Sequence, residues 1–480
     1  MEPNWIIQRA YLTPNRVGLS FEERSWTFKE IASTATEIAY KFATFGVNSR
    51  SRIAILAPSS PELVFIIYGC MQARIEIVLL NNRLTKEELA YQIQDSNVSA
   101  VICHEDDIDK LDATLNIILI TDLLQANKAD IPIDSYWDEN DTISIMYTSG
   151  TTGYPKGVRQ TLRNHKASAV NSVLNIGMTP DDVWLCMVPI FHISGFSMLM
   201  KSLLYGNEVK LYEKFDVEKS VEQIVAGSTS HMSVVGVTLG RIVDYMEQND
   251  LVAHPNFRLM LAGGSSIPVD YLKRAAKLSL NVAQTYGMTE TASQTATLSS
   301  EDALVKIGSA GKPLFFNSIK IDGAEHQPNV EGEICIRGPH VTPGYIGHFE
   351  ATSSLEDGWL KSGDIGYLDE DGYLFVVDRR SDLIISGGEN IYPAEIENVL
   401  LMNPSVEEAG VCGIEDSKWG QVPIAFVKLK SDVTEQMIIE FCKMHLASYK
   451  IPKRIAFVDH LPRNSSNKLL RRKLTELINL

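Results

Sequence analysis

Cysteine is scarce in this chain, with six in 480 residues. Cys70, Cys103, Cys186, Cys335, Cys412 and Cys442 lie far apart and form no C-x-x-C pair, which argues against a zinc site or a disulfide framework. Most sit in apolar runs, so buried thiols in a reducing compartment are expected. Basic charge is short as well: 44 Lys and Arg stand against 60 Asp and Glu. The net charge of −16 disfavours non-specific binding to nucleic acid or anionic membrane. Long hydrophobic runs are missing. The most apolar stretch, Met187 to Met200, is broken by Pro189, His192 and Gly195 and is no membrane span. Glu2 and Arg9 flank a short apolar patch that is no secretory signal, so the cytoplasm is expected. The common P-loop pattern is absent too, which disfavours a Walker-type kinase.

What is present points to a multidomain globular protein. The length predicts two or three domains, and 45% apolar with 22% charged residues suit sizeable cores. Strand-length runs alternate with helical periods: strand Arg52 to Ala57, helix Pro61 to Gln72, strand Ile75 to Leu80, helix Thr85 to Asp95, strand Ser99 to Cys103. Further strands are expected near Trp184, Val209, Ser233, Leu259 and Val282, with helices between. This alternation predicts an α/β fold, with parallel, helix-covered sheets forming a large N-terminal domain over residues 1–378. From about 308 to 378, short strands separated by Asp322-Gly323 and Asp371-Gly372 predict a small β-rich subdomain. The charged residues 379–382 read as a hinge. Residues 383–480 predict a small mobile α+β lid domain, with helices from Pro393 to Leu401 and from Thr434 to Tyr449.

The stretch Thr148-Ser149-Gly150-Thr151-Thr152-Gly153-Tyr154-Pro155-Lys156-Gly157 follows the alternating run Ile143, Ile145, Tyr147. Glycines let a backbone approach a ligand closely, and hydroxyls, main-chain N–H groups and an ammonium suit a polyphosphate. Thr148, Ser149, Gly150, Thr151, Thr152, Gly153 and Lys156 are therefore candidate phosphate ligands.

Four further clusters follow in order: Phe191-His192-Ile193-Ser194-Gly195, Tyr286-Gly287-Met288-Thr289-Glu290, Lys361-Ser362-Gly363-Asp364, and Asp378-Arg379 running into Ser386-Gly387-Gly388-Glu389-Asn390-Ile391-Tyr392-Pro393. With the opening loop and a terminal Lys468, the chain resembles the adenylate-forming superfamily of acyl-CoA synthetases, luciferases and adenylation domains. More narrowly, Asp378 through Pro393 and Leu461 through Arg471 resemble the o-succinylbenzoate–CoA ligase branch of menaquinone synthesis. The resemblance implies ATP, Mg²⁺ and coenzyme A, and a reaction in two halves. A carboxylate attacks the α-phosphorus to give acyl-AMP and pyrophosphate, and a thiol then displaces AMP.

On that resemblance Glu290 holds Mg²⁺, since a hard cation wants an oxygen anion, and Thr289 contacts phosphate or acyl carboxylate. Asp364 and Arg379 hold the ribose. Gly263, Gly264 and Ser265 flank adenine, with Thr285 and Tyr286 across from them, and Gly287 belongs to the same ATP site. His192 lies at the acyl pocket, and Lys468 bridges acyl oxygen and phosphate during adenylation. Asn464 and Asn467 stand where the family more often has threonine and glycine. The small domain rotates at Arg380, Ser381 or Asp382, bringing Ser386, Gly387, Gly388 and Glu389 to a pantetheine tunnel.

Lys201 stands in an otherwise apolar helical run. It either snorkels to solvent or reaches the acyl pocket and pairs a second carboxylate, with Ser293 and Gln294 as polar neighbours. Arg471, Arg472 and Lys473 after it leave a solvated basic tail as the bland reading of Lys468. Alternative activities are ligation of another aryl or medium-chain acid, or loading of a carrier protein. No carrier domain follows Leu480, which favours free CoA. A sensor, a luciferase and a phosphotransferase are weaker rivals. Partners are expected to be small molecules; a homo-oligomer is left open.

Overall fold

The computed structural model describes all residues except 130–131, 149–154, 265–266, 300, 304, 325–326, 353–354, 380–381, 387–388, 417–418, 447, 465–467 and 480. At 378–379, 385, 389–390, 420 and 478–479 it describes the backbone alone.

Two large sheets dominate the N-terminal part. In the first, Thr142–Thr148, Glu76–Leu80, Arg52–Leu56, Ala100–Cys103 and Ile117–Leu119 run parallel, and Lys156–Thr161 then Gly344–Ile346 extend the edge antiparallel. In the second, Val17–Phe21, Glu208–Leu211, Val183–Cys186, His231–Val234, Leu259–Ala262 and Val282–Tyr286 form the parallel centre. Strands buried on both faces read as continuous Val/Ile/Leu runs, which is why they stand out in the sequence. The strand Val17–Phe21 and its antiparallel partner Arg24–Thr27 were not among the expectations.

The main core lies between these sheets, around the helices Phe28–Lys41 and Pro61–Gln72. The second helix is buried almost all round, and Ser60 caps it ahead of Pro61, a residue preorganised for a first turn. Reciprocal capping boxes start Phe28–Lys41, Lys86–Ser96 and Leu162–Ile176; Thr161 and Asn164 form the third. The Asn164 amide also donates to Pro339 O at 3.0 Å and Val341 O at 2.7 Å, fastening this helix to the following β-rich region.

That region is a five-stranded antiparallel sheet built on Ser318–Ile321, Gly332–Arg337 and Trp359–Leu368. A second five-stranded sheet follows, with Val406–Asp416 and Gly420–Leu429 as its long hairpin and Pro393–Leu401 and Glu435–His445 as helices. The fold is thus a large α/β part followed by a small α+β part. The expected helix Thr434 to Tyr449 is shorter. Thr434 is its N-cap, and the backbone turns extended at Leu446. All six cysteines are buried and unpaired. Among the described residues no helix is long and apolar enough to cross a membrane.

Candidate active site

Thr148 ends one strand and Lys156 begins the next, directly opposite it. Ser149, Gly150, Thr151, Thr152 and Gly153 lie outside the described residues. The Lys156 ammonium stands 5.2 Å from the Tyr345 ring and 5.1 Å from the Phe349 ring. These contacts are worth about 0.5–1 kcal/mol at exposed sites, and they hold the cation without neutralising it.

Four positions on, Gln160 ties this hairpin to the Tyr-Gly-Met-Thr-Glu turn. Its amide donates to Thr289 O, and its carbonyl oxygen accepts from Ser144 Oγ at 3.0 Å. Ser144 Oγ also lies 2.9 Å from His165 Nε2. Burial pulls the His165 imidazole down to about 3, so the ring is neutral. None of these three was singled out from sequence, because their roles depend on a turn more than a hundred residues away.

Thr289 and Glu290 form a short 3-10 turn, Thr289–Thr291. The Thr342 N–H donates to Glu290 O at 2.8 Å, and the Tyr345 hydroxyl approaches Glu290 Oε1 at a long 3.4 Å. Burial first, and the Glu290 carboxylate second, push that phenol up from its ordinary value. No group of three His, Cys, Asp or Glu able to hold a metal occurs among the described residues. One half-buried carboxylate is nonetheless a sufficient protein ligand for Mg²⁺ that arrives with phosphate oxygens, so the donor chemistry fits.

Gly287 is demanded by packing, since a Cβ there would run into the Ser293 carbonyl. Ala292 and Ser293 both adopt left-handed backbone, at φ 47° and 106°. Gly287→Ala is expected to cost more than about 2 kcal/mol, read as a lower midpoint in urea unfolding.

Tyr286 and Asp364, 78 positions apart, meet: the phenol donates to Asp364 Oδ2 at 2.9 Å. Asp364 is 6% exposed and directly faces Arg379 on the neighbouring antiparallel strand. The two ribose candidates are therefore in register. The Arg379 side chain lies outside the description. Across the sheet, Gly263 follows Leu259–Ala262, and a Cβ on it would stand 2.8 Å from Thr285 Cγ2. Gly263 and Thr285 are brought together as expected, and Gly264 takes φ +83°. Ser265 lies outside the described residues. Tyr286→Phe strips a buried carboxylate of a donor, a loss of about 1–3 kcal/mol. It is expected to raise KM for ATP at least about fivefold, the low end of that range, as initial rates against ATP would show.

His192 is the N-cap residue of the helix Ile193–Tyr205. Gly195 in its first turn lies against the Pro189 carbonyl, with no room for a Cβ. Nine positions on, Lys201 does not snorkel. It is 2% exposed, its Nζ donates to Gln294 Oε1 at 2.8 Å, and it stands 5.0 Å from the Trp184 ring. Desolvation pulls its ammonium down to about 7. Gln294 in turn donates to Thr297 Oγ1 at 3.0 Å. Of the four expected pocket groups, Lys201 and Gln294 touch, Ser293 is adjacent to Gln294 in the chain, and His192 caps the helix that carries Lys201. Trp184 was missed, since nothing local distinguishes it from a core tryptophan.

Lys468 is exposed. Its N–H donates to Asn464 Oδ1 at 2.8 Å, and Asn464 N–H donates back to Lys468 O at 2.8 Å. Asparagine at 464 thus closes the loop that carries the lysine. Asn467 lies outside the described residues. Arg471 is no solvated tail: it reaches Asp382 Oδ2 at 2.9 Å and the Glu397 carboxylate at 2.7 and 2.8 Å. Asp382 is so far the one hinge candidate described; Arg380 and Ser381 lie outside. Of the tunnel candidates, Ser386 is buried and pairs with Glu389 through the backbone, Gly387 and Gly388 lie outside, and the Glu389 side chain is not described.

Residues 7–346 match the family model "AMP-binding enzyme", and residues 395–468 match "AMP-binding enzyme C-terminal domain". The chain is 46% identical over 482 residues to 2-succinylbenzoate–CoA ligase of Geobacillus sp. (strain WCH70), covering 99% of this chain and 97% of that protein. It superposes at TM-score 0.92 on o-succinylbenzoate coenzyme A synthetase from Bacillus subtilis in complex with ATP and magnesium, 42% identical and covering 99% of both chains. A double mutant of the Bacillus subtilis synthetase bound with a product analogue, also 42% identical, superposes at 0.76, covering 99% of this chain and 98% of that one.

Proposed function

Because this chain belongs to the AMP-binding enzyme family, we propose that it is an AMP-forming acid–thiol ligase that activates o-succinylbenzoate and passes it to coenzyme A. The observation that carries the choice of acid is Lys201. A buried ammonium with one amide oxygen as its polar partner is costly to keep unless something else repays it. The second carboxylate of an aryl dicarboxylic acid repays it, and a fatty acid does not.

In the first half-reaction the acid's other carboxylate oxygen bonds to the α-phosphorus and the bond to pyrophosphate breaks. Two anions must meet, so the chain's contribution is positioning and charge neutralisation. Lys156 and the segment 149–154 hold the outer phosphates. Asp364, oriented by Tyr286, holds the ribose with Arg379 opposite, and the Gly263–Thr285 contact leaves space for adenine. His192 opens the acyl pocket that ends at Lys201 and Gln294. Glu290 would hold Mg²⁺, which supplies charge neutralisation on the phosphates. Lys468 joins acyl oxygen to phosphate.

In the second half-reaction the CoA sulfur bonds to the acyl carbon and AMP leaves. Excluding water around ATP and admitting a long thiol are incompatible demands on one arrangement. The small domain, residues 383–480, therefore turns about 379–382 and brings Ser386–Glu389 to the thiol path. The better superposition on the ATP complex than on the product-analogue complex supports an adenylation arrangement here. The Tyr392 hydroxyl, bonded to Glu331 across the two parts, is a contact that this turn would break. The enzyme works in the cytoplasm, serving menaquinone synthesis.

Pyrophosphate release from ATP over a panel of acids, with and without CoA, tests the reading. Release confined to o-succinylbenzoate, with thioester only when CoA is present, supports it. Strong release with medium-chain fatty acids would demote the enzyme to a general acyl-CoA synthetase.

A further inference from the structure

At the far end of the hairpin that carries Lys156, a cavity of about 260 Å³ opens beside Trp137, Asn140 and Asp141. Three guanidinium groups line it: Arg50, Arg74 and Arg159. Arg74 is more than neutralised, holding Asp141 at 2.8 Å and Asp134 at 3.0 Å. Glu76, the other carboxylate on the wall, is taken by Arg52 at 2.7 Å. Among the described residues no ion pair or hydrogen bond reaches the guanidinium of Arg50 or of Arg159; the one side-chain bond at Arg159 is the Thr342 hydroxyl donating to its carbonyl. The Arg159 Nε is buried with no acceptor at all. A guanidinium nitrogen withdrawn from water and left unmet calls for an acceptor. The exposed Arg50 faces the same cavity. With Arg74 shared between two carboxylates, the wall keeps about one positive charge in excess.

We propose that this cavity is a binding site for a small oxyanion, a phosphate or a dicarboxylate, held by the planar forks of Arg159 and Arg50. The site is separate from the nucleotide cradle. Thr142 lines the cavity while Thr148 lies at the other end of the same strand, about 20 Å away at the usual rise per residue. Arg159 stands three residues from Lys156 on one strand, so an anion there would brace the hairpin from behind.

The test is titration calorimetry of the full chain, with saturating AMP to fill the nucleotide site. Inorganic phosphate and phthalate are the probes, at matched ionic strength. Wild type is expected to bind at least one of them, and Arg159→Gln and Arg50→Gln to lose about tenfold or more in affinity. The tighter probe identifies which source of oxyanion the site takes. Absence of binding to both, binding abolished by AMP in wild type, or unchanged affinity in the variants would each overturn the proposal. Should Arg159→Gln not fold, Arg50→Gln, an exposed position, decides alone.

Discussion

Replacing Lys468 by alanine is expected to slow acyl-adenylate formation by about 10²–10³-fold, the usual loss when one preorganised charge-stabilising group is removed. Thioester formation from supplied acyl-AMP should stay within about threefold of wild type, since the proposed domain turn takes the lysine away in that half-reaction. The variant should fold normally, because the side chain is exposed and the Asn464 side chain and backbone close the loop through the Lys468 main chain. Pyrophosphate release measures the first half and thioester yield from synthetic acyl-AMP the second. Equal losses in both would remove Lys468 from adenylation and return it to a general structural role.

Lys201→Leu is expected to lower kcat/KM for o-succinylbenzoate by at least about 30-fold, the low end of the 2–5 kcal/mol that truncating one partner of a buried charge pair costs. A monocarboxylic aryl acid should be nearly unaffected. The native lysine adds a pH signature. Its pKa is depressed to about 7 by burial, and the protonated form is the one that binds a second carboxylate. Below pH 7 the free enzyme is therefore competent. As pH rises above 7, kcat/KM for the dicarboxylic acid should fall about tenfold per unit. The ratio to the monocarboxylic acid isolates this titration from every other group in the pocket. Leucine should abolish the dependence of that ratio. A ratio flat from pH 6 to 9 in wild type would mean that Lys201 carries no substrate charge.

Much of this architecture is legible in the chain because it is local. The alternating run Ile143, Ile145, Tyr147 announces the strand Thr142–Thr148, and Thr148 and Lys156 at the two ends of the glycine-rich stretch face each other. Parallel strands such as Arg52–Leu56 and Glu76–Leu80 read as unbroken apolar runs because both faces are buried. What is illegible is set by distant partners. Val17–Phe21 is a strand because Glu208–Leu211 lies beside it. Gln160 matters because of a carbonyl at Thr289. Arg471 resembles a basic tail until Asp382 and Glu397 come within reach. Lys201 could not be assigned to solvent or interior from periodicity, since both readings put it on one helix; its burial and the Gln294 contact exclude the solvent reading. At the other extreme, Leu446 ends a helix whose pattern reads onward to Tyr449, where tertiary packing overrides local propensity.

The central claim is that a carboxylate oxygen bonds to the α-phosphorus of ATP in the cradle built around Lys156, Glu290 and Asp364. Running the reaction with o-succinylbenzoate carrying oxygen-18 in its carboxyl groups, followed by mass spectrometry of the products, tests it directly. Label recovered in AMP, with unlabelled pyrophosphate, is the predicted result. Label in inorganic phosphate, accompanied by ADP, would contradict the account.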